Sequence, residues 1–120
     1  MTPLIVGALL AASAGPADTW VWTLYESKTS TTLAHEVPDT DRLAEVLACP
    51  RGGGAVKVTV YPGDAAGETL EQSISPADPA FQTFIKTGRF SVGTGDRPAT
   101  ILLGAKDMSR LARFGKLCGA

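Results

Sequence analysis

The sequence predicts a mainly β protein: a compact, antiparallel, sandwich-like domain of about seven short strands, with a short internal helix and a C-terminal helix. Three observations predict it. Stretches such as 55–61 alternate apolar and polar residues with a period of two. Thirteen glycines and eight prolines punctuate the 120 residues, a density that a helical bundle tolerates poorly. Apolar residues make up 44% of the chain and charged residues 19%, which argues against disorder and for a packed core.

Each element follows from a local pattern. Residues 19–26, TWVWTLYE, place Trp20, Trp22 and Leu24 on one side and Val21, Thr23 and Tyr25 on the other. Both tryptophans are therefore expected in the core. Ser27–Ser30 reads as a turn and 31–37 as the returning strand of a hairpin. Pro38–Asp41 breaks the chain. Residues 42–49, RLAEVLAC, fit a helix through Leu43, Val46 and Leu47, or a strand with Leu43, Glu45, Leu47 and Cys49 on one face. The Gly52–Gly54 turn and the strand at 55–61 that follow favour the strand. Residues 67–74 suit a weaker strand at an edge. Asp78 and Pro79 open a short helix with Phe81, Phe84 and Ile85 as its apolar stripe, and Gly88 ends it. Residues 89–93 and 100–103 flank a turn at 94–98. The last helix is expected to run unbroken from about Ala105 to Leu117, with Leu111, Phe114, Leu117 and Cys118 on its apolar face.

Eleven basic residues against twelve acidic ones exclude a strongly basic nucleic-acid binder. Residues 1–14 read as a secretory signal peptide. Pro3–Ala12 is an uncharged apolar run, followed by the small-x-small pattern Ala12-Ser13-Ala14. The run is too short to span a bilayer, which takes about 20 residues. Residues 15–120 are the single β-rich domain, and no other stretch is long and apolar enough to cross a membrane. The expected location is periplasmic or secreted. Cys49 and Cys118 are the only cysteines, and in an exported chain an even count suggests a disulfide. A nucleophilic or metal-binding role is the rival, but neither has a CxxC partner.

The motifs together resemble a group of small exported proteins common in alphaproteobacteria. Glu36-Val37-Pro38-Asp39-Thr40-Asp41 resembles their "PETDD-like" turn, and Cys49-Pro50-Arg51-Gly52-Gly53-Gly54 their strand-Cys-Gly-rich turn. Asp78-Pro79-Ala80-Phe81 is similar to their "DPxF" helix start, Gly88–Val92 to "GxLxV", and Arg113–Cys118 to a terminal "RFxxxC". The likeness covers roughly residues 20–118 and departs between the fourth strand and Asp78, where this chain is shorter. It implies that 42–49 is a strand and that the cysteines pair. It implies no activity.

Few side chains suggest chemistry. His35 is the sole histidine; as a general base it would need Glu36 or Asp39 as its orienting acid. No GxSxG elbow accompanies it, and a solvated strand histidine is the simpler expectation. Asp39 and Asp41 are expected to close a turn by accepting backbone N–H groups. The turns at Arg51–Gly54 and Gly93–Gly95 match neither phosphate-loop nor dinucleotide patterns. Lys106, Arg110, Arg113 and Lys116 form a basic face on the last helix that could meet an anionic partner. No catalytic residue, metal site or cofactor is assigned. The leading expectation is a non-enzymatic envelope protein, a binding, adaptor or inhibitor-like module with an unidentified envelope partner. Its rivals are a hydrolase with an unannounced site and a structural subunit of an envelope assembly.

Overall fold

A computed structural model describes residues 20–62, 68–93 and 98–120. The 1–14 leader expected from the sequence lies outside the described residues, as do most of the 94–98 turn and the start of the expected 67–74 strand.

Five strands form one antiparallel meander: β1 (Val21–Glu26), β2 (Ser30–Glu36), β3 (Leu43–Pro50), β4 (Val56–Val60) and β5 (Leu70–Ile74). The ambiguous 42–49 stretch is therefore a strand, and β5 is an edge strand as expected. A helix α1 (Pro79–Thr87) leads into a two-stranded hairpin, β6 (Arg89–Val92) and β7 (Ala99–Leu102). A single 3-10 turn, Ala105–Asp107, then precedes helix α2 (Met108–Leu117). Among the described residues the fold is mainly β, with seven strands and two helices. The second layer of the sandwich-like arrangement is the hairpin together with both helices.

The registers explain why one face is apolar. Trp22, His35, Glu45, Val60 and Leu70 lie in one row across the sheet, and Leu24, Leu33, Leu47, Val58 and Gln72 in the next. Glu26, Thr31 and Cys49 begin a third row, and Val56 faces Ile74 at its far side. With a period of two, these rows share one face. Phe81 and Phe84 of α1, Phe90, Val92 and Ile101 of the hairpin, and Leu111 and Phe114 of α2 bury against it in a single core. A fully buried phenylalanine contributes roughly 1.5–3 kcal/mol of transfer free energy, so the covering layer is held mainly by these rings. The opposite face carries small residues such as Thr23, Thr32, Ala34 and Ala48.

Two close approaches set how the covering layer sits. Gly88 ends α1 at φ 80°, and its N–H donates to the Phe84 carbonyl at 2.7 Å. A Cβ there would stand 2.6 Å from the Leu103 carbonyl oxygen, so glycine lets the helix end against the exit of β7. Asp78 caps the other end of α1 by accepting from the Ala80 N–H at 2.8 Å. The C-terminal helix departs from the unbroken 105–117 span. Asp107 sits at φ −106°, ψ 0°, is buried, and turns its carboxylate to Arg110 instead of capping α2. That backbone excursion separates the 3-10 turn from the helix.

Cys49, at the end of β3, is disulfide-bonded to Cys118, just past α2, with Cα atoms 5.7 Å apart and 69 residues of separation. Opening a loop of this length should cost about 2–4 kcal/mol. Cys49→Ala/Cys118→Ala is expected to lower the melting temperature by about 10 °C or more in a thermal melt. An unchanged midpoint would refute a stabilising role for the bridge. Beside Cys49, Thr31 is fully buried and its Oγ1 has no hydrogen-bond partner. A buried, unsatisfied hydroxyl is a desolvation cost of about 1–3 kcal/mol. Thr31→Val, which keeps the shape, should therefore leave stability equal or raise it by about 1 kcal/mol in denaturant titration. A clear loss would mean that the hydroxyl has a partner.

Candidate functional site

The row Trp22–His35–Glu45 brings the sole histidine onto the covered face of the sheet. His35 is not the solvated strand residue expected from the sequence: its side chain is 27% exposed and that of Glu45 19%. Its ring stacks on Trp22, with centroids 4.6 Å apart and planes 7° from parallel, and Trp20 tilts against it at 5.4 Å. His35 Nδ1 lies 2.7 Å from Glu45 Oε1. Because a carboxylate only accepts, Nδ1 carries the proton, and Nε2 is left for another partner. A β-bulge next to the pair lets Leu43 face Glu36 and leaves Ala44 as the extra residue.

The acid that meets His35 is therefore neither Glu36 nor Asp39. Glu36 points the other way and accepts from the Tyr25 hydroxyl, a bond that holds the Tyr25 pKa above its ordinary 10.0. Asp39 occupies the left-handed region at φ 65° in the β2–β3 turn. That turn is tied by Thr40, whose hydroxyl donates to the Val37 carbonyl and accepts from the Arg42 N–H. The hydroxyl thus does what the sequence reading gave to the flanking carboxylates. The strand pattern at 42–49 carries a signal for Glu45, which it places between Leu43 and Leu47 on an apolar face. A carboxylate there needs a partner.

Facing the Trp–His wall are Leu102, Lys106, Asp107 and Arg110. Together with Trp20, Val21 and Trp22 they enclose a recess of about 420 Å³. That volume falls in the range of small-molecule sites, roughly 300–1,000 Å³. Arg110 Nη1 donates to Asp107 Oδ1 at 3.1 Å, so the buried acid is neutralised. Trp22 belongs to the core as expected, whereas Trp20 is half-buried at the rim, under the Arg42 guanidinium at 5.3 Å.

The basic residues of the C-terminal segment do not act as one patch. Lys106 and Arg110 line this recess. Arg113 is committed to Glu26, with Nε–Oε2 at 2.6 Å and Nη2–Oε1 at 2.8 Å. Lys116 lines a separate recess at the disulfide end. Chemically, the site offers an aromatic wall, an imidazole nitrogen backed by a carboxylate, and two cations. No serine, threonine or cysteine lines it, and both cysteines are bonded to each other. Among the described residues no group of three potential metal ligands is found. No family model, curated protein or solved structure matches this chain.

The Glu26–Arg113 pair, at the other end of β1 from the Trp22–His35 row, gives a pH dependence. The hydrogen bond from Arg113 is the main reason that Glu26 titrates below its ordinary 4.5. A carboxylate with a depressed folded-state pKa stabilises the fold above its unfolded pKa, and that contribution is lost as pH falls through the folded value. Between about pH 5 and pH 3 the melting temperature should therefore fall more for wild type than for Arg113→Gln. Parallel curves would show that the pair is not linked to stability.

Proposed function

We propose that the protein is an exported, non-enzymatic binding module of the cell envelope. Its ligand would present an apolar group to Trp20 and Trp22 and a carboxylate to Lys106 and Arg110. The observation that carries this reading is the recess itself: a stacked Trp–His wall facing two cations across an opening of small-molecule size. Aromatic surface supplies contact energy, and a few placed charges fix orientation. The disulfide accords with an oxidising compartment, and among the described residues no helix is long and apolar enough to cross a membrane. Cleavage after Ala14 would deliver the domain there, and mass spectrometry of protein from its native host should then find an N-terminus near Gly15. An intact Met1 would contradict export.

The His35–Glu45 pair favours hydrolysis as a second reading, because a carboxylate-backed imidazole is a general base. With no serine, threonine or cysteine lining the recess, that base would activate water.

The chain's two tryptophans both line the recess, so intrinsic fluorescence reports its occupancy. Titration with acetylated dipeptides that pair Phe or Leu with Asp should give a saturable change in emission. Lys106→Ala/Arg110→Ala should weaken it by about tenfold, the scale of losing charge-assisted contacts. Emission that never responds, or wild-type affinity in the double variant, would overturn the binding reading. Turnover of an ester or amide probe that is abolished in His35→Gln, with an unchanged melting temperature, would replace it with the hydrolase.

A further inference from the structure

The β1–β2 turn, the β3–β4 turn and the last turn of α2 meet at the disulfide end of the molecule. Each brings one cation: Lys28, Arg51 and Lys116. With Gly52 and Leu117 these residues line an open recess of about 630 Å³. No carboxylate lines it, and none of the three cations is ion-paired among the described residues.

The convergence is fixed by the fold. The Cys49–Cys118 bridge ties the β3 end to the α2 end, and the Gly52 N–H donates to the Leu117 carbonyl at 3.3 Å. Arg51 is anchored twice: its N–H donates to the Thr29 carbonyl at 2.9 Å, and its Nη1 to the Ser27 carbonyl at 2.7 Å. One end of the guanidinium is thus positioned while other N–H donors stay uncommitted. Glu26 lies close enough to feel the charge of Arg51. Both its oxygens, however, are held by Arg113. The three remaining charges are uncompensated.

A single lysine in the last turn of a helix is explained by the helix dipole, and Lys116 alone would serve. Lys28 and Arg51 come from turns and have no such explanation. Gathering like charges is unfavourable unless an anion joins them. An arginine fork beside two ammonium groups suits a tetrahedral oxyanion better than a single carboxylate. We propose that this recess binds a phosphoryl oxyanion, carried as a phosphate ester by a small molecule or by a lipid headgroup.

The test uses the full domain with its disulfide intact, pyrophosphate as the soluble probe, and phosphatidylglycerol vesicles with phosphatidylcholine vesicles as the neutral control. Binding should saturate and weaken as salt rises. Lys28→Gln/Lys116→Gln, which leaves the Arg51 anchor in place, should weaken it by about tenfold, whereas Lys106→Gln in the other recess should bind as wild type. Pyrophosphate binding without vesicle binding supports the site and assigns a soluble phosphate ester. Vesicle binding displaced by pyrophosphate supports it and assigns a headgroup. The proposal is overturned by absence of saturable binding to either probe, by vesicle binding that pyrophosphate does not displace, by wild-type affinity in the double variant, or by an equal loss in Lys106→Gln.

Discussion

The basic side chains of α2 are presented from a helix whose end is covalently fixed to β3 through Cys49–Cys118. The bridge anchors one end, and Leu111 and Phe114 bury the apolar side of the helix against the core. Between them they determine where the polar side falls. Arg110 comes to the Trp22–His35 row, Arg113 to Glu26 at the far end of β1, and Lys116 to the Gly-rich turn. The three positions are spaced by three residues along one helix, so they share a side and climb it at about 1.5 Å per residue. Moving the helix by one turn would break all three associations together.

The same geometry accounts for polar groups on a face that should be apolar. His35, Glu45, Glu26 and Gln72 occupy core-facing registers, yet each has a partner. His35 and Glu45 satisfy each other, Glu26 takes Arg113, and the Gln72 side chain accepts from the Gly93 N–H at 3.3 Å. The partners come from different strands or from the covering layer, so these polar groups are paired only when the layers are correctly docked. Thr31 is the exception, buried beside the disulfide without a partner for its hydroxyl.

How much of this was legible depends on the range of the determining contact. Strand periodicity, the Asp78-Pro79 helix start and the Gly88 stop are local, and each was readable within a few residues. The assignment of 42–49 needed its neighbours, because Leu43, Val46 and Leu47 satisfy both periods. The break at Asp107 is not legible in the sequence because no breaker residue marks it: Asp107 turns its buried carboxylate to Arg110 instead of capping the helix. Nor is the His35–Glu45 pair, because it depends on the register of two strands and on a bulge at Ala44. Nearness in sequence favoured Glu36, and strand alternation sends that residue to the opposite face. In the sequence the basic stripe forms one face because its residues share a helical side. Only the surface opposite them, Glu26 in one place and the turns carrying Lys28 and Arg51 in another, divides it.

The two ends of α2 therefore differ in rigidity as well as in chemistry. At its C-terminal end, the disulfide, the Gly52–Leu117 hydrogen bond and the doubly anchored Arg51 hold the Gly-rich turn against the helix. At the N-terminal end, Asp107 gives α2 no side-chain cap, and the chain enters through one 3-10 turn. Short 3-10 segments hold less well than α-helix, and an uncapped start is the part of a helix that most readily shifts. Lys106 sits on that turn and Arg110 one turn into the helix. The aromatic wall opposite them is fixed by stacking and by the sheet. Under the proposed binding function, adjustment to a ligand in the aromatic recess would fall on its cationic side, while the stacked Trp22–His35 pair stays in place. Under that proposal, such a division would suit a common apolar group carried by ligands whose acidic groups differ in position.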